Sequence, residues 1–333
     1  MLVPLPAEKT ELEDSPIPVG KAASPWGNAT FRSVALAAAL VAVAILLLLV
    51  WQLVSDSLPT LRAFGLKLLA SEDWNAGAEE YGALPFIYGT VVTSAIALVL
   101  AVPLSIFTAV YLTDLAPVWI RQPLVSLIEM LAAVPSVIWG LWGIFVLVPW
   151  LRTAVFPALR AVLGPIPGVG SLFSGPIFGL GYLSAGIIVA VMIVPIVTAV
   201  SREILRSVPN LQREAAYALG ATRWEVTRIA VLSYARRGLL GAAVLGLGRA
   251  LGETMAVTMV IGNSPQISAS LFAPGYTLAS VIANEFGEAG ADRMYTSALF
   301  ELGLILLVIT VVVNVGALLL VRAATTKGGS RFA

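Results

Sequence analysis

The stretch EAAYALGATRWE, residues 214–225, has the signals of two short helices that meet at a corner. Pro209 suits a helix start just before it, and the apolar residues that follow have the spacing of one helical face. Gly220 can adopt the left-handed conformation that ends a helix. Thr222 and Glu225 have the T-x-x-E spacing of a capping box, so a second helix is expected to begin there.

The sequence on both sides of this loop is strongly apolar. Of its 333 residues, 59% are hydrophobic and only 12% are charged, whereas about 25% of the residues in a soluble domain are charged. A spanning helix needs about 20 mostly apolar residues. Six stretches meet this requirement and predict an all-α integral membrane protein; they lie at about 34–54, 86–112, 124–147, 182–200, 238–262 and 297–321.

The placement of lysine and arginine predicts the orientation of these spans. With the N-terminus inside, most of the 20 Lys and Arg residues fall on inner segments, so the loop 202–237 and both termini are expected to be cytoplasmic. Residues 1–33 and 322–333 are then cytoplasmic tails on a six-helix transmembrane domain, 34–321. The stretch 148–181 is broken by prolines and glycines and is interpreted as a long loop, with a partly re-entrant path left open.

Two opposite charges lie inside the fifth predicted span, in GRALGETMAVTMVIG, residues 248–262. Arg249 and Glu253 are about one helical turn apart and are expected to share a face. An unpaired Arg in the membrane costs at least about 2.5–3.5 kcal/mol, so both side chains should face the bundle interior or a wet cavity. One interpretation is a structural salt bridge between helices.

The other interpretation, which the chemistry favours, is an anion site. The planar guanidinium of Arg249 presents two donors to an oxyanion. Glu253 would position Arg249 and would accept a hydrogen bond from a protonated oxyanion such as HPO4²⁻, whereas sulfate has no proton to offer. Glu129 and Glu301 also lie in predicted spans, and the sequence leaves their roles open.

Composition excludes several chemistries. The chain has no cysteine and no histidine, which removes thiolate catalysis and the usual zinc ligands. It has no GxxxxGK[ST] run, so the usual phosphate loop for ATP is absent. The chain is therefore expected to be a non-catalytic subunit with no cofactor and no metal, and ATP hydrolysis is expected on a separate protein. The net charge of +1 gives no indication of nucleic-acid binding.

The loop motif resembles that of a known transporter family. The string E-A-A, three residues and then G resembles the EAA loop of ABC importer permeases, in which this loop inserts into a groove on a cytoplasmic ATPase. The resemblance implies the MetI-like fold of type I importers. The residues implied to couple the chain to the ATPase are Glu214, Ala215, Ala216, Gly220 and Arg223.

The fifth predicted span resembles one subgroup of this family. The string G-R-A-L-G-E-T-M-A-V-T, beginning at Gly248, resembles the phosphate-specific ABC permeases, and its ending resembles the PstC-type subunit more than the PstA-type subunit. The resemblance implies that Arg249 and Glu253 meet phosphate in the translocation path. It also implies a heterodimer with a homologous PstA-type permease, an ATPase dimer, an external phosphate-binding protein, and a lipid setting in the inner membrane of a prokaryote.

Two alternatives remain open from the sequence. The first keeps the transporter class and changes the oxyanion to sulfate, molybdate or a phosphonate. The second is an ion-coupled anion transporter that acts without an ATPase, which would predict internal repetition. No convincing repeat relates 86–200 to 238–321.

Overall fold

The computed structural model describes residues 25–326, so the parts 1–24 and 327–333 of the expected tails lie outside the described residues. Within 25–326 the structure contains helices and no β-strand, which confirms the all-α prediction. The α-helices are α1 (Pro25–Phe64), α2 (Leu84–Val110), α3 (Val118–Ala132), α4 (Ser136–Trp142), α5 (Val148–Trp150), α6 (Phe156–Leu163), α7 (Tyr182–Arg206), α8 (Asn210–Ala218), α9 (Arg223–Val226), α10 (Ser233–Leu251), α11 (Met255–Val260), α12 (Leu278–Glu285) and α13 (Arg293–Thr326).

Wider π-helical turns extend or join several of these helices. They lie at Tyr111–Leu115 after α2, at Gly143–Leu147 and Leu151–Val155 between α4 and α6, and at Thr227–Leu232 between α9 and α10. As a result, six continuous helical segments in the described chain are long and apolar enough to cross a membrane. They are Ala29–Phe64, Leu84–Leu115, Ser136–Leu163, Tyr182–Arg206, Arg223–Leu251 and Arg293–Leu319. The chain is a multi-pass membrane protein.

The third of these segments lies further along the chain than the expected span, 124–147. Pro135 disfavours the helical conformation in the residue before it, and the chain bends between α3 and α4. Apolar helix then continues through the first half of 148–181, where the sequence predicts a long loop. Pro149 and Pro157 do not stop it, because each lies in the first turn after a π-helical turn, where a missing N–H costs little.

The first helix is longer than expected. It begins at Pro25, inside the segment expected to be a tail, and it runs through Pro59 to Phe64. Gly65, with a φ of +54°, follows its end. Contacts divide the chain into two units, one ending at Gln52 and the other beginning at Leu53, and all candidate site residues lie in the second.

Small residues bring α2, α7 and α10 close together in the core of the second unit. Ala97 and Ala101 of α2 are fully buried. A Cβ atom added to Gly186 of α7 would lie 2.4 Å from Ile96 of α2, and one added to Gly246 of α10 would lie 2.8 Å from Val197 of α7. Close approach through small side chains is how helices associate in a membrane, where the hydrophobic effect is weak.

Candidate functional site

The predicted helix, corner and second helix are confirmed in the polar loop. Helix α8 ends at Ala218, Gly220 has a φ of +82°, and α9 begins at Arg223. The capping box is complete: the Thr222 N–H donates to the Glu225 carboxylate at 2.8 Å, and the Glu225 N–H donates to the Thr222 hydroxyl at 3.4 Å. Each of these signals acts between residues close in sequence.

The loop presents an uncovered surface. Helix α8 buries none of its side chains, and Leu219 just beyond it is 90% exposed. The residues expected to couple the chain to an ATPase lie on this loop, and all are exposed except the half-buried Ala216: Glu214, Ala215, Ala216, Gly220 and Arg223. Apolar groups exposed on a short polar loop are typical of a contact surface.

A partly buried acid holds this loop against the ends of two long helices. The Arg213 guanidinium of α8 donates to the Asp114 carboxylate at 2.6 Å and to the Leu205 carbonyl of α7 at 3.0 Å. The Thr227 hydroxyl donates to the other Asp114 oxygen at 3.2 Å. Asp114 lies just after α2, so α2 and α7 end on the same side of the bundle as α8. We call this side the α8 end.

The role of Asp114 is not evident from the sequence. Its only signal is a lone acid at the end of an apolar run, and Arg213 lies 99 residues away in the chain. Side-chain exposures of 21% for Arg213 and 10% for Asp114 make this a partly buried pair rather than a solvated one. Such a pair fixes geometry strongly, because removing one partner leaves the other charge without compensation.

We expect Asp114→Asn to loosen the loop. The variant loses a charge-assisted hydrogen bond, which is worth about 1.5–3 kcal/mol, so the loop should open roughly tenfold or more often. Trypsin cleavage at the loop arginines in membrane vesicles measures this opening. The exposed Asp73 offers a matched control, Asp73→Asn. Equal cleavage rates in the wild type and Asp114→Asn would contradict a fixing role for Asp114.

The fifth membrane segment breaks next to Glu253. The sequence predicted one span over 238–262, but α10 ends at Leu251 and α11 begins only at Met255. Gly252 follows α10 with φ −94° and ψ 2°, which turns the chain out of the helix. Glu253 is 8% exposed in this break.

Polar groups surround the Glu253 carboxylate. It interacts with the backbone N–H groups of Thr254 and Ala256 and with the hydroxyl of Ser136, which begins α4. Arg249 adds a Coulombic interaction. A buried carboxylate needs such partners, because burying an unpaired charge is costly. The break therefore holds an acid between two helices, close to a third.

Arg249 lies in the last turn of α10, and its side chain is exposed. Among residues 25–326 no ion pair joins it to Glu253, so the expected direct pairing is absent. The reason is the helix break, which moves Glu253 off the α10 face that carries Arg249. The preceding residue, Gly248, packs on α13, since a Cβ added there would lie 3.7 Å from the Asn314 amide. An Arg at this depth must face water or protein rather than lipid.

Glu129 and Glu301, whose roles the sequence leaves open, have different environments. Glu129 of α3 is exposed and pairs with Arg202 of α7 at 3.3 Å, at the α8 end. Glu301 of α13 is 4% exposed, and its Oε2 atom has no hydrogen-bond partner within the described chain. Neither lies in the break that holds Glu253.

Comparison with known proteins places these features in a family context. Residues 101–326 match the family model described as binding-protein-dependent transport system inner membrane component. The chain is 48% identical over 283 residues to the phosphate transport system permease protein PstC of Mesorhizobium japonicum, covering 85% of this chain and 86% of the relative. It is 45% identical over 304 residues to the protein of the same name from Haemophilus influenzae, covering 91% and 96%.

A solved structure has the same fold. The chain aligns with a bacterial ABC transporter involved in the import of the acidic polysaccharide alginate, with a TM-score of 0.52 and 17% identity. The alignment covers 91% of this chain and 100% of that one. At this identity the likeness establishes the helical architecture alone.

Proposed function

Because the chain belongs to the family of binding-protein-dependent transport system inner membrane components, and groups within it with the PstC phosphate permeases, we propose that it is the membrane subunit of an ATP-driven phosphate importer. The observation that carries this proposal is the 48% identity to a protein of that name, spread over 85% of the chain. The names of these relatives favour phosphate over sulfate, molybdate or phosphonates.

Arg249 and Glu253 are proposed to contact phosphate as it crosses the membrane. The guanidinium of Arg249 suits two phosphate oxygens at once. Its exposure leaves it available, and Glu253 lies near enough to interact with it electrostatically. Glu253 would accept a hydrogen bond from the protonated oxygen of phosphate. Because Glu253 does not touch Arg249, we place it as a second contact to the anion rather than as a clamp on the arginine.

The exposed loop at the α8 end is proposed to dock on a separate cytoplasmic ATPase. The residues that support this surface are Glu214, Ala215, Ala216, Gly220 and Arg223. Small side chains in α8 allow a groove to close around it, and Gly220 keeps the corner free of bulk. The chain itself is proposed to be non-catalytic. The Asp114–Arg213 pair would carry motion of the docked loop to the ends of α2 and α7.

The remaining partners follow from this architecture. We assign a homologous PstA-type permease to the exposed Arg249 face, which would otherwise place a charge in lipid. A cytoplasmic ATPase dimer and an external phosphate-binding protein complete the proposed importer. We place the chain in the inner membrane of a prokaryote, with both termini and the α8 end in the cytoplasm, because arginines concentrate at that end.

Reconstituted transport tests this function. The complete importer in proteoliposomes should take up radiolabelled phosphate only when ATP is present on the α8 side and the binding protein on the other. Excess sulfate should not compete. Uptake driven by an ion gradient without ATP would indicate the ion-coupled alternative, and competition by sulfate or molybdate would indicate a different oxyanion.

A further inference from the structure

A small polar cavity opens at the α8 end, between the ends of α2 and α7 and the start of α3. Its volume is about 220 Å³, which is room for several water molecules at about 30 Å³ each. Its polar lining comes from Thr113, Arg121, Gln122, Arg202 and Arg206. The cavity is separate from the break at Glu253 and from the exposed surface of α8.

The charges around the cavity do not balance. Arg202 pairs with Glu129 at 3.3 Å and with Glu203 at 3.2 Å, and Arg206 shares Glu203 at 3.6 Å. Arg121 forms no ion pair within residues 25–326. Its guanidinium donates only to a neutral acceptor, the carbonyl of Ala116, at 3.1 Å. Three guanidinium groups therefore share two carboxylates, and the surplus positive charge lies on Arg121.

Two of these arginines also lack a hydrogen-bond acceptor. The Nε atoms of Arg121 and Arg202 are shielded from solvent and have no partner in the described chain. A buried donor without a partner costs about 1–3 kcal/mol, and most buried polar groups in folded proteins are paired. Two such donors in one cavity, together with a surplus positive charge, indicate that an anionic acceptor completes the site.

We propose that this cavity, which we call the arginine cavity, binds a phosphoryl oxyanion. A tetrahedral oxyanion supplies several acceptors and the missing negative charge, and it matches the paired donors of arginine. Two sources have this chemistry: the headgroup of an anionic phospholipid and free inorganic phosphate. Basic pockets between membrane helices commonly take lipid headgroups. Val118 at the rim and the adjacent Trp119 are each 77% exposed apolar side chains, which suit contact with acyl chains.

The site has a consequence for the loop. Arg202 and Arg206 lie in the last turns of α7, directly before α8. An anion in the arginine cavity would tie α7 to the start of α3 through Arg121. Occupancy would thus restrict the same helix end that Arg213 contacts, so the bound anion would influence how freely the loop moves relative to the bundle.

The test measures binding by the purified complete importer without its external binding protein. Native mass spectrometry reports retention of phosphatidylglycerol after exchange into a neutral detergent, and equilibrium dialysis reports binding of ³²P-phosphate. We expect Arg121→Gln to weaken either the retention of phosphatidylglycerol or the binding of phosphate roughly tenfold. Val118→Glu keeps every described contact and adds a repelling charge at the rim, so it should have the same effect. Arg236→Gln, at an exposed arginine of α10, is the matched control.

Each outcome decides the proposal. Loss of phosphatidylglycerol alone in the two cavity variants identifies a lipid headgroup, and loss of phosphate binding alone identifies the free anion. Wild-type values for both ligands in Val118→Glu would overturn the proposal, even if Arg121→Gln failed to assemble. Because the readout is the change in binding that the cavity variants cause, rather than transport, the result stands whether or not the importer transports phosphate.

Discussion

Replacing Arg249 by glutamine should reduce phosphate uptake at least about 100-fold while the protein stays at normal abundance in the membrane. The change removes the charge and the paired donors that we assign to phosphate, and losses of about 3 kcal/mol or more are typical of such contacts. The amide is cheaper to bury than the guanidinium, so assembly should not suffer. Arg249→Lys should recover little, because an ammonium cannot offer the two-pronged geometry. Uptake beside membrane abundance is the measurement.

Three further variants separate substrate contact from structure. Arg236→Gln makes the same substitution earlier in α10 and should leave uptake near the wild-type value. Glu253→Gln should be nearly as severe as Arg249→Gln if Glu253 accepts a hydrogen bond from the protonated oxygen of phosphate. A structural bridge predicts a different pattern, in which each single variant is unstable and the charge-swapped double variant, Arg249→Glu with Glu253→Arg, is restored. Full uptake by Arg249→Gln at normal abundance would refute the transport role.

Substitution of Gly220 by a large side chain should also have a large effect on ATPase binding and phosphate uptake. Its φ of +82° disfavours any L side chain, and no heavy atom beyond its two chain neighbours lies within 4 Å of the position that a Cβ would occupy. A side chain there would thus project away from the protein, into the space that we assign to the ATPase. Gly220→Glu should lose ATPase binding and reduce uptake tenfold or more, with the chain still inserted.

Gly220→Ala is the control for that experiment. It carries the same backbone strain, about 1–2 kcal/mol, but adds only a methyl group to the corner. It should retain most of its ATPase binding, so the difference between the two variants measures obstruction rather than strain. Co-purification of the ATPase and phosphate uptake are the two readouts. If Gly220→Glu retained both, the loop would not be the docking surface.

The corner at Gly220 could be predicted because its signals act over a few residues. The capping box of Thr222 and Glu225 needs only local chain geometry. The sequence predicts a loop after residue 147 because Pro157, Pro165, Pro167 and Pro176 resemble helix breakers, yet the helix continues through Pro157, which follows a π-helical turn, to Leu163. Periodicity alone does not reveal such turns.

The sequence predicts some residues of the candidate sites but not others. Two opposite charges in an apolar span mark Arg249 and Glu253 as unusual from the sequence alone. The break between them was not predicted, since Gly252 is compatible with both a continuous membrane helix and a helix end. Asp114 and the arginine cavity depend on contacts between segments far apart in the chain. No local pattern reports such contacts, and only the folded arrangement of α2, α3 and α7 brings them together.

The π-helical turn at Thr227–Leu232 determines the rotation of α10 about its axis relative to the docking loop. A π-helical turn holds about one residue more than an α-helical turn, and one residue corresponds to about 100° of rotation about the helix axis. Deleting a residue there would keep the helix intact but would rotate Arg249 to a different side of the helix. Insertions and deletions between the loop and Arg249 are therefore constrained in number, independently of which side chains that turn carries.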